Sequence, residues 1–232
     1  MTRRARVAAS PRMLSNSSGA FAAALEETAQ HGAAKIERAL TGAAQRELLA
    51  ALDAADFERA PERVSQVEQD FDMVAIKLAD KPTEPGLTPV FALADEYTAF
   101  LRQQAHALDL PRLADFTPTD VHVQRYRPGS RGITPHRDGR RFVTLISIFS
   151  LGNSAQFVLC RDRQGTPLRR YRLASGDLLL LRAAGFARDS SPGPMHAVSG
   201  PEEGVRYSIT FRMEQASACR AGRAKPGASA RP

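Results

Sequence analysis

One pair of residues in this chain has the types and the spacing for metal chemistry. In the run Thr134-Pro135-His136-Arg137-Asp138, an imidazole and a carboxylate are separated by a single residue. In extended backbone, side chains two apart point to the same face, so both can reach one ion. Two His and one carboxylate on one face of a metal, with open positions opposite, form the facial triad that holds non-haem Fe(II). A His-x-Asp is a common accident of sequence. Its meaning here depends on whether the chain supplies a second His and a place for a ligand.

His196 is the second His, in the short apolar segment 195–199. Antiparallel connections return late strands beside early ones, so its distance from Asp138 in sequence is no obstacle. Next comes Arg206-Tyr207-Ser208-Ile209-Thr210-Phe211-Arg212. By strict alternation Arg206, Ser208, Thr210 and Arg212 share one face of a strand, and Tyr207, Ile209 and Phe211 share the other. Two Arg and two hydroxyl residues turned into a barrel would be costly if unpaired. A bound dicarboxylate would satisfy them, because guanidinium forks suit carboxylates. Upstream, His122, Gln124 and Tyr126 also share a face, and Gln124 and Tyr126 could add neutral donors to that ligand. The plain alternatives are turn and core polar residues for His136, Asp138 and His196, and a surface strand edge for Arg206 and Arg212.

The elements that must position these residues change character along the chain. Residues 14–58 read as helices, with apolar residues at helical spacing in Phe21 and Leu25, in Ile36 and Leu40, and in Leu48, Leu49 and Leu52. Thr41 is an N-cap candidate for the last of these. A strand is expected near 71–78, a Pro/Gly-rich loop over 81–89, and a helix over 90–109 with Phe91, Leu93, Tyr97, Leu101 and Leu108 as its apolar stripe. His31 and His106 read as surface or packing residues. From 120 onward short strands alternate with turns: 121–127, 142–152, 155–162, 168–173, 177–183, 195–199 and 205–213. No helical segment interrupts them, which indicates a sandwich or barrel. The expected class is α+β, a double-stranded β-helix (jelly roll) core with N-terminal helices packed on it. The expected organisation is one domain over 14–213, with a helical leader 14–118, a core 119–213, and disordered tails at 1–13 and 214–232.

Composition narrows the classes. The 232 residues are 43% hydrophobic, enough for an ordinary core, and no run is apolar enough to span a membrane. Cys160 and Cys219 have no motif spacing, which suits a reducing compartment, and a cytoplasmic location is expected. The net charge of +7 resides in the tails, while residues 14–118 carry −8 and residues 119–212 carry +8. The half with the metal motif is therefore basic. That charge could draw in an anionic substrate or pair with the acidic half.

Taken together, Gln124-x-Tyr126-x-x-Gly129, His136-x-Asp138, Ser150-Leu151-Gly152 followed by Phe157, the Ser175-Gly176-Asp177 turn, His196 and Arg206-x-Ser208-x-Thr210-Phe211-Arg212 resemble the AlkB-like family of Fe(II)- and 2-oxoglutarate-dependent dioxygenases. The resemblance covers Val121 to Arg212. It implies an oxidoreductase using Fe(II), 2-oxoglutarate as cosubstrate, and dioxygen. His136, Asp138 and His196 would be the iron ligands. Arg206 would clamp the distal carboxylate of 2-oxoglutarate, Arg212 would support the carboxylate end near the metal, and Tyr126, Gln124 and Ser208 would add hydrogen bonds. The implied activity is hydroxylation or oxidative demethylation, with DNA or RNA as one partner and a small metabolite or protein side chain as the alternative; a third reading, a non-catalytic metal-binding jelly roll, is opposed by the retained triad and both clamp arginines.

The chain also departs from the family pattern. Gln124 and Ser208 stand where family members commonly have Asn, and Arg140 stands where base-repairing members commonly have an acidic residue. There is no Trp, and only Phe71, Phe91 and Tyr97 lie where a base-walling lid would form.

Overall fold

The alternation in 206–212 is realised as a strand with two different faces. The computed structural model describes residues 12–15, 18–78, 85–108, 110–186 and 191–215. In chain order the helices are α1 (Ser18–His31), α2 (Gly42–Asp53), α3 (Thr88–Ala107) and the short α4 (Pro111–Ala114). The strands are β1 (Ala33–Ile36), β2 (Glu58–Arg59), β3 (Arg63–Val64), β4 (Val67–Asp70), β5 (Asp72–Lys77), β6 (Asp120–Tyr126), β7 (Gly132–His136), β8 (Phe142–Gly152), β9 (Ala155–Cys160), β10 (Pro167–Leu173), β11 (Leu178–Arg182), β12 (Met195–Val198) and β13 (Arg206–Glu214).

They form a seven-stranded sheet, β1-β11-β8-β13-β6-β5-β2, and a six-stranded sheet, β10-β9-β12-β7-β4-β3. Every pairing between these strands is antiparallel. The arrangement is a double-stranded β-helix with helices on the outer face of the larger sheet. Tyr207, Ile209 and Phe211 of β13 join Val121, Val123, Phe149, Leu178 and Leu180 in one apolar cluster with Phe21, Leu48, Leu93, Tyr97 and Leu101 of the helices. A second cluster lies between the sheets and includes Phe71, Tyr126, Ile133, Phe142, Phe157, Leu179, Leu181 and Val198. β8 and β11 are buried on both faces, which explains why their sequences read as near-continuous apolar runs instead of alternating ones.

Helix α2 starts where its cap is expected. Thr41 has extended backbone and its hydroxyl accepts from the Ala44 amide at 3.2 Å. Helix α3 runs two residues ahead of the expected 90–109. The helix expected around Ile36 and Leu40 is instead a strand. Gly32, at φ 88°, ends α1, and Ala33–Ile36 then pairs along Leu178–Leu181 of β11. The open edge of β11 needs hydrogen-bond partners, and that demand overrides the weak helical propensity of four residues. The stretch read as a helical leader thus carries five strands, β1 to β5, which extend both sheets. His31 and His106 are exposed. Met13 is buried and its amide donates to Glu96, so chain order begins before residue 14. Most of both expected tails, residues 81–84 of the expected 81–89 loop, and Cys219 lie outside the described residues.

Candidate metal and cosubstrate site

All eight residues singled out from the sequence line one cavity of about 380 Å³ between the sheets. His136 is the last residue of β7 and stands opposite His196 on β12. Gly132, at φ 79°, lets β7 approach β12 this closely, since a Cβ there would lie 2.0 Å from the Val198 carbonyl oxygen. The two imidazole rings are 4.3 Å apart between centroids. Asp138 follows in the loop after β7, with Oδ2 3.4 Å from His196 Nε2. One ligand atom from each of the three lies within 4.8 Å of the others.

The backbone fixes which ring nitrogens face inward. His136 Nδ1 is 2.9 Å from the Thr134 carbonyl oxygen, and His196 Nδ1 is 3.1 Å from that of Pro194. An Nδ1–H donating to a carbonyl leaves Nε2 as the free lone pair, the usual arrangement of a metal-binding imidazole. Phe157 stacks on His196 at 5.1 Å and holds its ring plane. Burial, with the neighbouring His136, pushes His196 down to about 4, so it is neutral at physiological pH as a ligand must be. Burial alone would raise the Asp138 carboxyl, but Arg212, His196 and His136 outweigh it and hold the group below its ordinary value. Arg212 Nη2 donates to Asp138 Oδ1 at 2.9 Å, leaving Oδ2 on the His196 side.

Deeper in the cavity lies a cationic end. Arg206 is 1% exposed, its Nε donates to Ser150 Oγ at 3.2 Å, and its guanidinium sits 5.0 Å from the Tyr126 ring centre. Arg206 Nη1 and Arg212 Nε are buried without a hydrogen-bond partner among the described residues. Burial lowers the Arg206 pKa, the mark of a desolvated cation, and pushes the Tyr126 phenol up to about 12. Tyr126 and Ser208 both donate to Gln124 Oε1 at 2.9 Å. That orients the Gln124 amide with both acceptor positions used and its nitrogen left for a ligand. The donor set therefore fits a divalent cation at one end and a carboxylate at the other.

Some parts of the site had weak signals or none in sequence. Ser150 joins the Arg206 environment only through the β8–β13 register. The Thr134 and Pro194 carbonyls carry no side-chain signal at all. Pro61, Val64 and Val67, around the β3–β4 hairpin, wall the cavity, and Val64 is 53% exposed. Of the aromatic residues expected to serve a lid, Phe71 lines the cavity, whereas Phe91 and Tyr97 belong to the helix-side core. The Tyr97 hydroxyl pairs there with Ser147 at 2.7 Å. Arg137 lines the cavity and donates to the Gly193 carbonyl, while Arg140 is exposed and flanks a small recess beside Pro192–Pro194.

Comparison with known proteins follows the same lines. The sequence pattern of the 2OG-Fe(II) oxygenase superfamily matches residues 53–212. No curated protein sequence matches. Among solved structures, a prolyl hydroxylase from Trichoplax adhaerens, in complex with a hypoxia inducible factor oxygen degradation domain peptide fragment, is similar with a TM-score of 0.56 at 14% identity. That match covers 85% of this chain and 90% of the other. A Pseudomonas putida prolyl-4-hydroxylase gives 0.54 at 15% identity, covering 84% and 99%. OsALKBH1 gives 0.50 at 17% identity, covering 78% and 98%. These likenesses establish a shared fold. No helix among the described residues is long and apolar enough to cross a membrane.

Proposed function

The chain belongs to the 2OG-Fe(II) oxygenase superfamily, and from that premise we propose that His136, Asp138 and His196 bind the iron and that Arg206 anchors the distal carboxylate of 2-oxoglutarate. Its class is oxidoreductase, using Fe(II), 2-oxoglutarate and dioxygen. The observation that carries the residue assignment is the buried Arg206 guanidinium, one nitrogen of which has no partner and lines the triad's cavity. A buried cation lacking an anion is costly, and a dicarboxylate reaching from Arg206 to the triad removes that cost. Gln124, Tyr126 and Ser208 hold the cosubstrate's flank. Arg212 bridges Asp138 and the metal-binding end of the cosubstrate. When bound, iron and 2-oxoglutarate supply an oxidant for a substrate C–H bond, with succinate and carbon dioxide as co-products.

For the substrate we propose an AlkB-like role, the oxidation of an alkyl group on a base in DNA or RNA. The paired Arg206 and Arg212 with Ser208 and Thr210 between them, and the +8 balance of residues 119–212, support it. A second reading, hydroxylation of a protein side chain or small metabolite, draws support from the aliphatic mouth of Pro61, Val64 and Val67 and from Arg140 beside Asp138. Succinate and formaldehyde release would be followed with methylated single-stranded oligonucleotides and, in parallel, with peptides. The AlkB-like reading expects formaldehyde stoichiometric with succinate from an oligonucleotide. Succinate coupled only to a peptide would replace it with the second reading.

A further inference from the structure

Of the His residues lining the cavity, His122 is the one without an assigned role. It lies on β6, opposite Thr210 of β13, and Thr210 in turn stands opposite Ile148 of β8. The next row toward the metal residues is Asp120, Arg212 and Ile146, and the row on the other side is Gln124, Ser208 and Ser150. Rows two residues apart are separated by about 7 Å. His122 therefore stands between the neutral donors of the cosubstrate pocket and the Arg212 that pairs with Asp138.

Its ring differs from the other two in the cavity. His136 and His196 each have Nδ1 tied to a backbone carbonyl. His122 makes no hydrogen bond among the described residues, and the Asp120 Oδ1 atom is 3.9 Å from its Nε2, too far for one. Asp120 is itself engaged by Lys77 at 2.7 Å. The charged groups around the imidazole are Asp120, Arg212, Asp138 and Arg141, of which Arg212 and Arg141 are already paired with Asp138 and Glu214. A second group in the same part of the cavity is also unsatisfied, since Arg212 Nε is buried without a partner. Burial, reinforced by Arg212, pushes His122 down to about 4, which leaves a neutral ring with one N–H to give.

We propose that His122 and Arg212 Nε together form the subsite for the metal-end carboxylate of 2-oxoglutarate, with the His122 N–H donating to that carboxylate. This rests on the iron and 2-oxoglutarate reading given above. It assigns the two ends of the cosubstrate to different strand pairs, Arg206 with Tyr126 at one end and Arg212 with His122 at the other. His122 thus offers a donor that carries no charge at this point, so the metal's own charge is not opposed.

The test is anaerobic titration of the Fe(II)-loaded protein with 2-oxoglutarate, followed by the visible charge-transfer band, for the parent, His122→Leu and His122→Gln. Loss of a hydrogen bond to a charged group should weaken 2-oxoglutarate binding about tenfold in His122→Leu and move the band maximum, with affinity for Fe(II) alone unchanged. His122→Gln, which keeps a donor, should stay close to the parent. His122→Phe supplies the same comparison should the Leu variant not fold. Parent-like affinity and band in the Leu or Phe variant would overturn the assignment, as would equal losses in the Leu and Gln variants, which would indicate packing. A parent that shows no band would instead remove the iron and 2-oxoglutarate reading, and this subsite with it.

Discussion

The two faces of β13 follow opposite rules. One face, Tyr207, Ile209 and Phe211, packs against the helices in apolar surroundings whose few hydroxyls are paired, Tyr207 donating to Asp53 Oδ1 at 2.7 Å, with Phe211 5.8 Å from Phe149 and 6.0 Å from Tyr97 between ring centres. The other, Arg206, Ser208, Thr210 and Arg212, faces the cavity and leaves two guanidinium nitrogens without partners. Both faces are buried, yet only the first is satisfied by the protein alone. Burial on the helix side is a source of stability. Burial on the cavity side is a debt that a ligand removes. A residue's place in this strand therefore decides whether its loss is felt in folding or in binding.

Substitutions on the two faces should separate these effects. The largest change in stability is expected for Phe211→Ala, which should cost about 3–5 kcal/mol in urea unfolding while folded protein keeps its affinity for 2-oxoglutarate. Arg206→Met should do the reverse. Removing an unpaired buried cation should leave the ligand-free protein as stable as the parent or more so, and calorimetry should find 2-oxoglutarate binding lost. If Arg206→Met unfolds the protein, the two faces are not distinct in the way described.

The pH dependence of the metal-free protein sharpens the contrast. His122 and His196 are each pushed from 6.5 down to about 4 by burial first, so the folded state binds fewer protons than the unfolded one between those values. Stability should be full above about pH 6.5 and fall as pH drops toward 4, by as much as ~3 kcal/mol for each His. His122→Leu should remove its share of that slope in denaturant titrations across this window. Helix-side changes such as Phe211→Ala should shift the curve without altering its slope. The smallest effect belongs to the periphery. Thr41→Ala should cost about 1 kcal/mol through the lost cap of α2, with no effect on ligand binding.

Much of this division was legible in sequence because a strand's period of two is strict. The alternation over 206–212 told the two faces apart, and His122 shares a face with Gln124 and Tyr126, but its place in the cavity lining came only with the structure. The near-continuous apolar run of β11 marked a buried strand, and the β-branched and aromatic residues of β8 marked a strand. What escaped notice depended on partners distant in sequence. Ala33–Ile36 is too short and too rich in Ala to declare itself a strand, and it becomes one because β11 offers an unpaired edge. The β3–β4 hairpin is built from two short strands with charged residues among them, and a cavity wall was not visible in it. The carbonyls that orient His136 and His196 are backbone atoms, which no residue type encodes.

The most direct test of the central claim is a crystal structure with 2-oxoglutarate and Mn(II) in place of iron. The account predicts the cation bound by His136, Asp138 and His196 together, with the distal carboxylate of 2-oxoglutarate on Arg206 Nη1. A cation held elsewhere, or a 2-oxoglutarate molecule that leaves Arg206 unpaired, would contradict it.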